Sequence, residues 1–320
     1  MTPDVSYVVP AYGAQETVAR TVGSALEQRD VRVEVVVADD ASPDATAAVV
    51  EDFAARDTRV RLVRLARNGG PSGARNAAIR AARGRFVGML DADDAIAPDR
   101  TRRLLDLAQS LSVQIVADNL TLCDASGRAG ALAFETGPQP FCFMLDAPRF
   151  VDDNVMMKGG FGWGYLKPLV SAEHLARHGV AFDPDVRTGE DFLFVLEALV
   201  TGARYAVTSR PGYLYGMREG SLSHRLTRAR ADALAAGLRR LEARRGASLD
   251  APTRAALARY HAGLASTCAF LGVVESAKAG VVIDALARAG ARPDVWPLVA
   301  RYGGEALAKR MPGRRARARD

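Results

Sequence analysis

Val33-Glu34-Val35-Val36-Val37-Ala38-Asp39-Asp40 is a β-branched run that breaks off on two carboxylates. Branching at Cβ favours extended backbone, so the run reads as a strand, Val33 to Asp39. Comparable runs stand on either side, at Val5 to Pro10, Val60 to Leu65 and Arg85 to Leu90. The intervals carry apolar residues at helical spacing: Glu16 to Gln28, Ala45 to Ala55, Ala74 to Ala82 and Asp99 to Ser110, with Ser42 or Asp44 available as an N-cap before the second. Strand and helix in alternation predict an α/β fold with a mostly parallel central sheet flanked by helices. Ligands of such sheets sit beyond the carboxyl ends of the strands. That rule directs attention to Ala11 to Gln15, Asp39 to Asp44, Arg67 to Gly73 and Asp91 to Asp94.

From about Ser112 to Arg225 the pattern is mixed, with strands expected near Ile115 to Ala117, Arg204 to Val207 and Tyr213 to Met217 and helices near Ala172 to His178 and Asp191 to Thr201. Beyond Leu226 the chain is rich in Ala, Leu and Arg at helical spacing, broken by Gly246 with Pro252, by Gly280, and by Gly290 with Pro293. The reading is one domain over residues 1–225, its nucleotide-binding half at about 1–111 and its acceptor half at 112–225. A helical appendage over 226–308 and a basic tail over 309–320, expected to be disordered, follow.

The chain has 320 residues, nearly half of them apolar, enough for one large core. Its net charge is +6, but the last twelve residues hold Lys309, Arg310, Arg314, Arg315, Arg317 and Arg319 against Asp320 alone. A near-neutral body with a basic tail argues against a nucleic-acid surface and suits a tail that is solvated or touches anionic lipid. Cys123, Cys142 and Cys268 lack the spacing of a disulfide framework or zinc site, and a reducing compartment is expected. The N-terminus shows no signal segment, and Glu275 and Lys278 interrupt the apolar stretch Leu264 to Ile283. A cytoplasmic protein, peripheral at the inner face of the membrane if the tail engages it, is the expectation.

Leu90-Asp91-Ala92-Asp93-Asp94 places three carboxylates where a buried strand emerges. Hard divalent cations want such oxygens, and Mg²⁺ or Mn²⁺ on one or two carboxylates, completed by diphosphate oxygens, is the arrangement expected of a nucleotide site. A solvated acidic turn before the next helix would look the same. Asp39 and Asp40 can accept hydrogen bonds from a base or ribose, or can cap. Asn68-Gly69-Gly70-Pro71-Ser72-Gly73-Ala74-Arg75-Asn76 is a glycine-rich turn before a helix, with Arg75 supplying positive charge. Gly189-Glu190-Asp191-Phe192 starts an apolar helix, where a carboxylate serves either as a general base or as a partner of the helix dipole. The Arg218 to Arg225 loop holds two arginines and His224, able to meet phosphate or simply to connect elements. Neither a P-loop nor a dinucleotide fingerprint follows any strand.

In order along the chain, Val9-Pro10-Ala11-Tyr12, Asp39-Asp40-Ala41-Ser42, Gly73-Ala74-Arg75-Asn76, Asp91-Ala92-Asp93-Asp94 and Gly189-Glu190-Asp191 resemble the family 2 inverting glycosyltransferases of the GT-A fold. The resemblance covers about residues 4–225. Val116-Ala117-Asp118-Asn119, Gly164-Tyr165-Leu166-Lys167-Pro168 and Ser221-Leu222-Ser223-His224 are most similar to the glucosyltransferases of succinoglycan-type exopolysaccharide synthesis. The resemblance implies a GT-A nucleotide-diphospho-sugar transferase fold, a UDP-sugar donor with glucose the first choice, a polysaccharide or lipid-linked glycan acceptor, and Mn²⁺ or Mg²⁺. It implies that Pro10, Ala11, Tyr12 and Glu16 line the nucleotide pocket. Asp40, with Asp39, would contact uracil, and Arg75 would lie beside them. Asp91 would face ribose or the metal hydration shell, Asp93 would bind the metal with Asp94 assisting, and Asp191 would be the base. Arg218 and His224 would close over the diphosphate. The family usually has Asn at Gly13 and Gly at Ala41.

Two other readings stay open on the residues alone. A nucleotidyltransferase also uses a parallel sheet and carboxylate-bound Mg²⁺, but wants a glycine- and basic-rich loop where Pro10-Ala11-Tyr12 stands. A non-catalytic sugar-nucleotide-binding subunit would be marked by loss of the metal or base carboxylates, all of which are present here.

Overall fold

β1 (Val5–Ala11), α1 (Val18–Leu26), β2 (Val33–Asp39), α2 (Thr46–Arg56), β3 (Val60–Arg64), α3 (Gly70–Ala81) and β4 (Phe86–Met89) alternate along the first ninety residues. β3, β2, β1 and β4 lie side by side and parallel, with Val5 opposite both Val33 and Phe86. The computed structural model describes residues 2–124, 127–157, 161–217 and 227–302. Its remaining regular elements are β5 (Ala95–Ile96), α4 (Arg100–Leu111), β6 (Ile115–Cys123), β7 (Ala129–Leu132), β8 (Cys142–Met144), α5 (Ala147–Asp153), β9 (Leu169–Ser171), α6 (Ala172–His178), α7 (Glu190–Val200), β10 (Tyr205–Gly216), α8 (Arg228–Arg245), α9 (Ala251–Lys278) and α10 (Val282–Gly290), besides short 3₁₀ turns.

The second half extends the same sheet. β9 enters antiparallel between β4 and β6, β10 runs parallel to β6, and β5 closes the edge antiparallel to β10. The fold is α/β with a central sheet flanked by helices and with helices at the C-terminal end. Two sequence expectations need correction. The strands expected near Arg204 to Val207 and Tyr213 to Met217 are one strand, β10, whose register to β6 shifts around Pro211; proline cannot donate to the ladder, so it reads as a break while the strand passes through on a bulge. The glycine-rich turn is shorter than expected, because α3 starts at Gly70 with Pro71 in its first turn.

A buried polar network ties the two halves together beneath the end of β4. Arg100 and Asp118 are fully buried and 2.8 Å apart, and Arg100 Nη2 also donates to the Lys167 carbonyl at 2.6 Å. Gly212 leaves room for that pair, since a Cβ there would run into Asp118. The C-terminal helices share the core. The Tyr260 ring of α9 stacks on Phe192 of α7 at 4.7 Å, and Gly237 lets α8 approach, a Cβ there falling 2.7 Å from Val186. The three cysteines are unpaired in disulfides, and no described helix is long and apolar enough to cross a membrane.

Candidate active site

Five acidic or basic side chains from distant parts of the sequence meet beyond the carboxyl end of β4. Asp91 follows β4; its Oδ1 accepts from Arg75 Nη2 at 2.7 Å, and its Oδ2 lies 2.8 Å from Lys167 Nζ. Asp191, in the first turn of α7, receives the same two cations, Lys167 Nζ at 2.8 Å on Oδ2 and Arg75 Nη1 at 3.4 Å on Oδ1. Glu190 adds a third carboxylate, 2.9 Å from Arg75 Nη1. Arg75 and Lys167 are themselves almost wholly buried, at 5% and 6% side-chain exposure, so both charges are committed to this cluster. Burial disfavours Asp91's charged form, yet Lys167 and Arg75 outweigh it and hold the carboxyl well below the usual carboxylate range. Burial and the neighbouring Asp191 push Glu190 up.

The structure gives Asp94 protein partners on both oxygens. Tyr213 Oη donates to Oδ2 at 2.6 Å and the Gly216 amide to Oδ1 at 2.8 Å, while the same tyrosine oxygen accepts from the Asp91 amide at 3.1 Å. Burial, with Asp91 and Asp93 beside it, pushes Asp94 up to about 8. Asp94 thus braces the acidic turn against β10. Asp93 sits between these two acids with its side chain partly exposed, its carbonyl anchored by Arg20 Nη2 at 2.6 Å. Among the described residues no group of three or more His, Cys, Asp or Glu side chains is arranged to enclose an ion. A Mg²⁺ or Mn²⁺ accepts one or two carboxylates when diphosphate oxygens complete its shell, and the partly exposed Asp93 in this acidic turn is a donor of that kind.

Two strands away, Asp39 and Asp40 end β2 beside Ala11 at the end of β1. Adjacent strands are about 4.8 Å apart, so this edge lies on the order of 10 Å from Asp91. The Asp40 carboxylate accepts from the Gly69 and Gly70 amides at 2.7 and 2.8 Å, which fixes the glycine turn at the start of α3. Asp39 is buried, and its Oδ1 has no hydrogen-bond partner in the fold. An orphaned buried carboxylate oxygen at a ligand edge is costly unless a ligand donor meets it. Pro10 and Ala11 lie in register beside it, whereas Tyr12, 57% exposed, and Glu16 stand at the rim.

Residues 6–172 match the profile described as Glycosyl transferase family 2. The chain is a family 2 glycosyltransferase. It is 40% identical over 295 residues to the Succinoglycan biosynthesis protein ExoO of Rhizobium meliloti, covering 91% of this chain and 82% of that one. Among solved structures, the glycosyltransferase resembles S. aureus TarS 1-349 in complex with UDP-GlcNAc, with a TM-score of 0.58 at 20% identity over 94% of this chain and 92% of that one. It also resembles the mannosyltransferase PcManGT of Pyrobaculum calidifontis in complex with GDP-Man and Mn²⁺, with a TM-score of 0.57 at 21% identity over 98% and 82% of the two chains. At those identities the likeness establishes the shared fold.

In this glycosyltransferase the structure brings Arg75, Asp91, Asp93, Asp94 and Asp191 to one place, with Ala11 at the end of the adjacent strand β1 and Asp39 and Asp40 at the end of β2 beyond it. Arg218 and His224 lie outside the described residues. In the sequence Lys167 stands only as part of a motif; a lone charge inside Tyr165-Leu166-Lys167-Pro168-Leu169-Val170 is the available sign that it must be paired. Both departures from the usual family residues fall on left-handed backbone, Gly13 at φ +62° and Ala41 at φ +57°. A Cβ in that region costs roughly 1–2 kcal/mol, and glycine's extra chain entropy returns about 0.5–1 of it. Ala41→Gly is therefore expected to raise stability by about 0.5–1 kcal/mol, a gain of roughly 1–4 °C in a melting curve. No change or a loss would show that Ala41 is unstrained.

Proposed function

We propose that the enzyme transfers a sugar, glucose first among candidates, from a UDP-sugar to a hydroxyl of a polysaccharide or lipid-linked glycan, with inversion at the anomeric carbon. The observation that carries the reading is the meeting of Asp91 and Asp191, a hundred positions apart, on the same two buried cations. In it, Asp39 Oδ1 accepts a hydrogen bond from the base, Tyr12 and Pro10 flank the ring, and Asp91 faces the ribose. Asp93 holds the metal side of the donor. When bound, a divalent ion neutralises charge developing on the departing diphosphate. Lys167 and Arg75 fix Asp191 at the start of α7, and each of its oxygens keeps a second lone pair for the proton of the attacking hydroxyl. Attack from the face opposite the diphosphate needs no covalent intermediate on the protein. Family membership removes the nucleotidyltransferase reading.

The acceptor wall falls in this reading to the stretch from Val151 to Lys167, of which residues 158–160 lie outside the described residues; within it Trp163 Nε1 donates to Asp153 at 2.7 Å and Tyr165 is half exposed. Incubation with UDP-glucose, UDP-galactose and their N-acetyl forms in Mn²⁺, without acceptor, tests the donor assignment. Slow UDP release is expected, fastest from UDP-glucose and stopped by a chelator. Release from none of them would overturn the UDP-sugar reading.

A further inference from the structure

α10 turns an apolar face outward. Ile283, Leu286, Ala287 and Gly290 recur at the spacing of one helix face, and all four are exposed, Ile283 by 84% and Leu286 by 62%. Ala285 and Ala289, on the other side, are buried as α10 packs on α9. The helix is thus already seated without its outer stripe. Val281 precedes the stripe at 51% exposure and Trp296 follows it at 48%, so four large apolar side chains face solvent between residues 281 and 296. A helix that met only water would carry polar residues there.

Charge says what covers this face. From Lys278 to Asp320 the sequence holds ten basic and four acidic residues, so this stretch carries the whole net charge of +6. Arg288 and Arg292 pair with Asp284 and Asp294, so the excess comes from Lys278, Arg301 and the six basic residues beyond. A cleft of about 560 Å³ beside α10 is lined by Arg228, Arg239, Arg288 and Arg292 together with Asp232, which pairs with Arg228, and it includes none of the residues around Asp91 and Asp191. A second copy of the chain would bring the same positive charge against itself, and a nine-residue helix is small beside the roughly 800 Å² per partner of a stable interface.

We propose that the outer face of α10, with Val281 and Trp296, lies in the headgroup region of an anionic phospholipid bilayer, held there by apolar burial and by the basic C-terminal sequence. Aromatic and aliphatic residues beside basic ones are what such an interface selects. The proposal is independent of the donor sugar and concerns where the enzyme works.

The full chain is tested on vesicles of phosphatidylcholine with and without phosphatidylglycerol, by flotation and by tryptophan emission. It is expected to float with the anionic vesicles, to release as salt rises, and to shift its emission to the blue, a shift lost in Trp296→Phe because Trp163 is already buried. The double variant Ile283→Glu, Leu286→Glu is expected to lose at least about tenfold in partitioning, with melting temperature and UDP release unchanged. Equal partitioning of the double variant, or flotation without the emission shift, would place the contact elsewhere and overturn the proposal. So would a failure to float joined to a dimer that the double variant dissolves.

Discussion

Asp191→Asn is expected to lower sugar transfer by roughly 10²- to 10⁴-fold, the contribution of a general base, while the UDP-sugar dissociation constant stays within about threefold of the parent. Asparagine keeps the shape of the side chain and an acceptor oxygen for Lys167 Nζ, which lies 2.8 Å from Asp191 Oδ2. What it removes is the ability to take a proton. Arg75 and Lys167 retain Asp91, and Arg75 retains Glu190, so the cluster keeps most of its pairing. Parental transfer in Asp191→Asn would refute the role, and an equal loss of donor binding would move Asp191 from base to donor contact.

Asp93→Ala is expected to act on the other half of the reaction. In Mn²⁺ its affinity for UDP should fall by at least about 10- to 100-fold, the range seen even for partners one shell further out. With a chelator present the variant and the parent should bind UDP alike. The comparison separates a metal ligand from a folding residue, since the Asp93 carbonyl, which anchors Arg20, is retained in alanine. A variant whose UDP affinity still responds to Mn²⁺ as the parent does would transfer the metal role to Asp91 or Asp94.

Much of the fold was legible because valine-rich strands and amphipathic helices announce themselves locally. Val33 to Asp39 was read to the residue, and α6 likewise, at Ala172 to His178. Among the elements missed are strands whose existence depends on what lies beside them. β9 is three residues long and makes sense only between β4 and β6, and β5 is two residues completing an edge. Pro211 hid the continuity of β10, since a bulge absorbs in space what looks like a break in sequence. The acids at strand ends could be listed from the sequence, but their division of labour could not. Which carboxylate is braced by Tyr213, which caps Gly69 and Gly70, and which has an orphaned oxygen are facts of packing. Lys167 illustrates the same limit, because its importance comes from two carboxylates, one 76 positions before it and the other 24 after.

A crystal of the enzyme grown with UDP and Mn²⁺, with anomalous scattering recorded at the manganese edge, puts the whole arrangement to one test. A single peak is expected about 2.1 Å from an Asp93 carboxylate oxygen and from oxygens of the diphosphate. Uracil should lie against Asp39, and Asp191 should face the open side where the sugar would stand. A nucleotide bound at another surface, or a manganese peak remote from Asp93, would contradict the assignment of these acids to one donor site.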